Sequence, residues 1–160
     1  GVLCLLSESM YADRKGFTAP SNRIGSIVNE VLDQTGRIII SVFPNQFYKI
    51  QELFNGIMHT DRNVVIIGKR LQDIIINSIN LGYMKFDINR IKTISHVNDD
   101  NIVVLVADER EKPFSNFLRI VRGYDKFIKI SKKDTVVFMS PVFPGMEKSS
   151  ATRWYCKNWF

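Results

Sequence analysis

Residues 37–43 read RIIISVF. The run is apolar and β-branched on both of its alternating sides, which predicts a strand covered on both faces. Asn63–Ile67 (NVVII) and residues 101–107 (NIVVLVA) have the same character. The stretches between and around them carry a helical period instead. Pro20 and Ser21 open a first helix, with Ile24, Ile27, Val28, Val31 and Leu32 at i, i+3, i+4, i+7 and i+8, and Gly36 ends it. After Pro44, Asn45 is placed to cap a second helix whose inner face is Phe47, Ile50, Phe54 and Ile57, with Leu53 beside them. A third helix spans 71–81, turning Leu71, Ile74, Ile75 and Ile79 inward, with Gly82 at C′. A fourth starts near Pro113, carries Phe114, Phe117, Leu118 and Val121, and ends at Gly123.

The remaining segments are shorter. Residues 2–7 predict another buried strand, and a brief extended piece is expected within 91–94. Residues 127–130 and 135–139 read as two short strands around a turn at Lys132, Lys133 and Asp134. Strand–helix alternation with continuous apolar strands implies parallel pairing and helices on both faces. The expected fold is α/β, a three-layer Rossmann-like sandwich with a mostly parallel sheet. Ligands of such sheets bind beyond the C-terminal strand ends. The loops expected there are 8–19, 43–46, 68–70 and 108–113.

Composition narrows the function. A chain of 160 residues with 45% hydrophobic content can bury one real core. No run approaches the roughly 18–20 apolar residues of a membrane span, so no membrane partner is expected. Cys4 and Cys156, without a CxxC, argue for a reducing compartment, and a cytoplasmic location is expected. His59 and His96 stand far apart and form no HxH or HxxxH pair, so the chain offers no self-contained zinc cluster. His59 is expected to favour a helix C-terminus, and His96 to be exposed. There is no Walker A motif, no GxGxxG and no serine-triad pattern.

Net charge is +6. Between positions 110 and 133, Arg110, Lys112, Arg119, Arg122, Lys126, Lys129, Lys132 and Lys133 outnumber Glu111 and Asp125. Clustered cations can attract RNA through counterion release. The same pattern is also found on plain solvated surfaces of Lys-, Asn- and Ile-rich proteins.

Five segments in series resemble the β-CASP domain of the ribonuclease J family. The opening VLCLLSESMYADRKGFT resembles its "LLSDST…PGFT" segment, and RIIISVFPNQFYKIQ resembles "GRIIVATFASNIHRVQ". NVVIIGKRL is similar to "KVAVVGRSM", NLGY contains its "LGY", and DTVVFMSPVFPG resembles "GDTVV…PIPG". The resemblance covers residues 1–148. Residues 1–8 resemble the last strand of a flanking metallo-β-lactamase domain, and 149–160 form an atypical tail. Gly1 in place of Met fits a processed tag or a chain that begins inside a longer one.

In that family the β-CASP domain is inserted into a metallo-β-lactamase fold and forms one wall of an RNA channel. The resemblance therefore implies an RNA-binding, substrate-side domain of a metal-dependent phosphodiesterase. Its partners would be RNA and the metallo-β-lactamase domain, with a homo-oligomer or a paralogue as further possibilities. Zinc, or manganese or magnesium, would belong to the intact enzyme. No cofactor is expected for this chain alone, which lacks HxHxDH and should be inactive in isolation.

By resemblance Glu8 stands where the family has a bridging aspartate ligand. Asn45, Gln46, Tyr48 and Lys49 stand where it has "SNIHR", and Lys69 and Arg70 where it has "GRSM". With Arg110 these are the candidate RNA- or phosphate-binding residues. The glycine-rich "TGSQGEP" loop appears here as residues 107–113, ADEREKP. Its acids would repel phosphate where glycine amides would receive it. That departure keeps a second reading open: a non-catalytic RNA-binding or protein-interaction module from a degenerate paralogue.

Overall fold

The structure, a computed structural model, describes residues 3–6, 15, 22–107 and 115–139. Five strands, β1 (Ile38–Val42), β2 (Asn63–Ile67), β3 (Ile91–Lys92), β4 (Ile102–Ala107) and β5 (Thr135–Phe138), form one parallel sheet in the order β3-β2-β4-β1-β5. Four helices are described: α1 (Asn22–Leu32), α2 (Phe47–Met58), α3 (Lys69–Asn80) and α4 (Ser115–Val121). The α/β sandwich expected from the apolar runs is the fold observed.

Strand periodicity divides the core in two. Ile38, Ile40, Val42, Val64, Ile66, Val103, Leu105 and Ala107 meet α1, α2 and α3 through Val31, Leu53, Phe54, Leu71 and Ile75. Ile39, Val65, Ile102, Val104 and Val106 meet α4 through Phe117 and Ile120, together with Val97 and Ile128. Chain direction explains the split. From β1 the chain crosses β4 to reach β2 and moves on to β3, whereas from β4 it crosses β1 in the opposite direction to reach β5. Right-handed crossovers running in opposite directions require opposite faces, and α2 and α4 lie on opposite faces.

Polar side chains close the N-terminal edge of the sheet. The buried Arg62 donates to the carbonyls of Leu32, Gln34 and Gly36, tying the α1–β1 connection to β2. Arg37 is 5% exposed. Its guanidinium donates to Val97 O at 2.9 Å, Asn98 Oδ1 at 2.8 Å, Lys129 O at 2.7 Å and both carboxylate oxygens of Asp134 at 3.1 and 2.5 Å. At the other end of α3, Gly82 is at C′ with φ +76°, its amide bonded to Ile79 O, as expected.

Several expectations fail. Residues 127–130 form no strand, because Asp125 Oδ1 accepts the amides of Phe127 and Ile128 and Arg37 occupies the Lys129 carbonyl. Residues 3–6 form no buried strand. Leu3, Leu5 and Leu6 are exposed, and the described edges of the sheet are β3 and β5. Ile27 and Phe47 are also nearly half exposed rather than turned fully inward. Asn45 does not cap α2. The amide of Gln46 bonds to Phe43 O at 3.1 Å, closing a turn with Pro44 and Asn45 at its centre, and the helix starts after Gln46. Ile120, left out of the expected α4 face, is buried.

Candidate nucleic-acid interface

Three adjacent strands end at one level. Val42 of β1 pairs with Ala107 of β4, and Ile67 of β2 pairs with Val106. The segments that follow β1 and β2 are therefore neighbours, separated only by the end of β4. Both lead to the face of α2 and α3, while β4 leads to α4 on the other face. In open α/β sheets such a divergence of connections marks the end at which ligands bind.

The chain packs tightly there. Gly68 has φ +113°, and a Cβ on it would lie 2.5 Å from Ala107 Cβ. Only glycine permits this approach with this backbone. On the far side, Asn116 Nδ2 donates to Ala107 O at 2.9 Å, fixing α4 to the end of β4.

Two helices begin at this edge. α2 starts after Gln46 and α3 after Gly68, and neither has a side-chain cap or an acid in its first turn. Their leading backbone amides thus face the edge with the positive end of the helix dipole. Helix N-termini of this kind accept anions. Lys69 and Arg70, in the first turn of α3, are exposed. Lys69 Nζ lies 3.6 Å from Asp73 in an exposed i,i+4 pair, which holds it weakly.

The candidates on α2 divide. Asn45 is exposed, and Tyr48 is about half exposed. Lys49 is half-buried and donates to Met139 O at 3.2 Å, joining α2 to the residue after β5; burial lowers its pKa from the ordinary lysine value. One of its three ammonium donors is thereby committed to the fold. Gln46 keeps a buried Oε1 without a partner among the described residues, although buried amide oxygens are normally satisfied. Asn45, Gln46, Tyr48, Lys69 and Arg70 thus share one edge, with Lys49 turned to β5. Glu8, Arg110 and the 108–113 loop lie outside the described residues.

Among the described residues no three His, Cys, Asp or Glu side chains group closely enough to hold a metal ion. His59 follows α2 as its C-cap and is exposed. His96 is exposed, with Nδ1 3.0 Å from Asp99 Oδ2. No described helix is long and apolar enough to cross a membrane.

Gly68 was legible only as the end of a strand. Its close approach to Ala107 depends on a β2–β4 pairing invisible in the sequence. The orphaned Gln46 oxygen likewise had no sequence signal beyond its loop position.

The family model described as "Ribonuclease J, beta-CASP domain" matches residues 35–153. Ribonuclease J2 of Bacillus subtilis is 28% identical over 151 residues, covering 92% of this chain and 27% of the relative. Ribonuclease J 1 of Streptococcus pyogenes is 26% identical over 149 residues, covering 91% and 27%. Ribonuclease J of Synechocystis is 28% identical over 149 residues, covering 91% and 23%. The chain spans about a quarter of the length of these relatives. The parallel sheet, its diverging connections and the match over 35–153 lead to one assignment: the chain belongs to the ribonuclease J β-CASP domain family.

Proposed function

We propose that this domain is the substrate-side wall of a ribonuclease J-like RNA phosphodiesterase. It holds the RNA backbone at the C-terminal edge of the sheet. The observation that carries this reading is the pair of uncapped helix N-termini after Gln46 and Gly68, with exposed Lys69 and Arg70 beside them. Amides and cations together suit phosphate and are indifferent to base identity. Tyr48 provides an exposed ring for stacking. Hydrolysis is assigned to the metallo-β-lactamase part that such an enzyme carries, with Glu8 approaching the metal by resemblance. The domain alone is inert.

Filter binding of the 160-residue chain to single-stranded RNA at several salt concentrations tests the reading. Lys69→Ala/Arg70→Ala should flatten the plot of log affinity against log salt by about 1.4, two phosphate contacts at roughly 0.7 each. An unchanged slope would remove the edge from the RNA path. Metal-dependent degradation of RNA by the purified chain would overturn the assignment of hydrolysis to the other part.

The acidic 108–112 stretch (DEREK) favours one variant of this reading. With carboxylates in place of glycine amides, a terminal phosphate is repelled there, so RNA is held along its chain by a non-catalytic paralogue. Indifference to a 5′-monophosphate in the same titration would support that variant.

A further inference from the structure

The basic segment after α4 lies at the opposite end of the sheet from the candidate interface. Lys133 O would meet a Cβ on Gly36, just before β1, and Asp134 immediately precedes β5. A five-residue strand separates the two edges by roughly 15 Å. The cations here are thus a separate surface.

What distinguishes this surface is the fate of its acids. Asp125 is buried, its carboxylate taken by the amides of Phe127 and Ile128 and by Arg119 at 2.9 Å. The Asp134 side chain is 4% exposed, held by Arg37 and by the amide of Ser131 at 2.7 Å. Both acids are consumed inside the fold. Arg122, Lys126, Lys129, Lys132 and Lys133 remain exposed and uncompensated by them. Two aromatic residues stand among them, Tyr124 at 75% and Phe127 at 56% exposure. Asn98 Nδ2 donates to Phe127 O at 3.3 Å, which brings the acids Asp99 and Asp100, next in the chain, towards the Phe127 side.

The backbone beneath these side chains is held in place. Asp125, Arg37 and Asp134 fix it at Phe127, Ile128, Lys129 and Ser131, so binding need not order this backbone, although the lysine side chains still lose rotamer freedom. Cations spaced along an anchored, irregular segment, with exposed rings between them, suit single-stranded RNA: phosphates on the lysines, bases on the rings. A duplex would offer phosphates and no free base face.

We infer that residues 122–133 form a second, accessory site for single-stranded RNA, remote from the strand-end interface. The charge and aromatic arrangement stand on their own; the choice of RNA among polyanions rests on the ribonuclease J reading above.

Fluorescence anisotropy with a labelled oligouridylate and the 160-residue chain tests the inference. Lys126→Ala/Lys129→Ala/Lys132→Ala should flatten the salt slope by about 2 and weaken binding roughly 50-fold near 0.15 M salt, three contacts at about 0.7 each. The triple Lys→Arg variant should keep the slope, which ties the loss to charge, and an unchanged far-UV circular dichroism spectrum of the alanine variant excludes a folding defect. Tyr124→Ala/Phe127→Ala should weaken oligouridylate binding at unchanged slope and leave binding of an RNA duplex of equal length unaltered. A triple alanine variant with wild-type slope overturns the site. If Lys69→Ala/Arg70→Ala flattens the slope while the triple variant does not, the accessory site falls and the strand-end reading stands. The reverse pattern sinks only the strand-end reading. Preference for an acidic polypeptide over RNA in competition would overturn the ligand assignment.

Discussion

Replacing Arg37 with methionine removes the guanidinium while keeping much of the apolar stem. Five hydrogen bonds disappear with it. The Asp134 carboxylate, 4% exposed, is left with the Ser131 amide, while the Val97 and Lys129 carbonyls lose this donor. Breaking a buried ion pair from one side costs about 3–5 kcal/mol, because the remaining charge stays buried. Against a typical total of about 5–15 kcal/mol this is a large fraction. With a urea m-value of about 2 kcal/mol/M, the midpoint should fall by roughly 2 M in far-UV circular dichroism. Asp134→Leu alone should also destabilise, leaving Arg37 buried with neutral acceptors only. The double variant Arg37→Met/Asp134→Leu should lose clearly less than the sum, since no unpaired charge remains. A loss under about 1 kcal/mol for Arg37→Met, or additive single effects, would refute the claim that this pair closes the N-terminal edge.

Three further outcomes follow from the same geometry. Gly68→Ala should cost about 3 kcal/mol or more, adding an unfavourable φ to a clash with Ala107, whereas Gly82→Ala, with φ +76° and nothing within 4 Å of the new Cβ, should cost about 1–2 kcal/mol; equal urea midpoints would contradict this. Asp125→Asn should cost about 1.5–3 kcal/mol at neutral pH through its weakened amide and Arg119 bonds. Burial alone would raise the Asp125 pKa, but the amides of Phe127 and Ile128, together with Arg119, hold it below the ordinary value. The stability from this depression is present above the unfolded pKa of about 3.9 and is lost as pH falls through the lower folded value. The gap between wild type and Asp125→Asn should therefore narrow below about pH 4, and a gap independent of pH would contradict the charge-based origin. Gly56→Ala should loosen the α1–α2 contact, since its Cβ would sit 2.7 Å from Val28 Cγ1 and 2.9 Å from Leu32 Cδ1, costing about 1–3 kcal/mol by the same denaturation assay.

The strands were legible where burial on both faces left no room for polarity. Asn63–Ile67 and most of 37–43 and 101–107 are strands for that reason. The run at 127–130 has similar composition, yet its backbone is claimed by Asp125 and Arg37. Arg37 and Asp134 are 97 positions apart, so no local pattern exposes their pairing. The strand-end loops followed from parallel topology, which needs only the order of elements. Their detail did not: Asn45 has the side chain of an N-cap and is expected to be one, but the bond from the Gln46 amide to Phe43 O places it in a turn. Likewise Lys49 is one more cation in the sequence, and only the fold reveals that it is spent on Met139.

On the proposed function, RNA meets this domain at the C-terminal edge of the sheet. Amide hydrogen exchange of the 160-residue chain, with and without saturating single-stranded RNA, tests it directly. Slowed exchange at the leading amides of α2 and α3, including Phe47, Tyr48, Lys69 and Arg70, is the predicted result. Unchanged exchange at both helix starts under saturating RNA would contradict it.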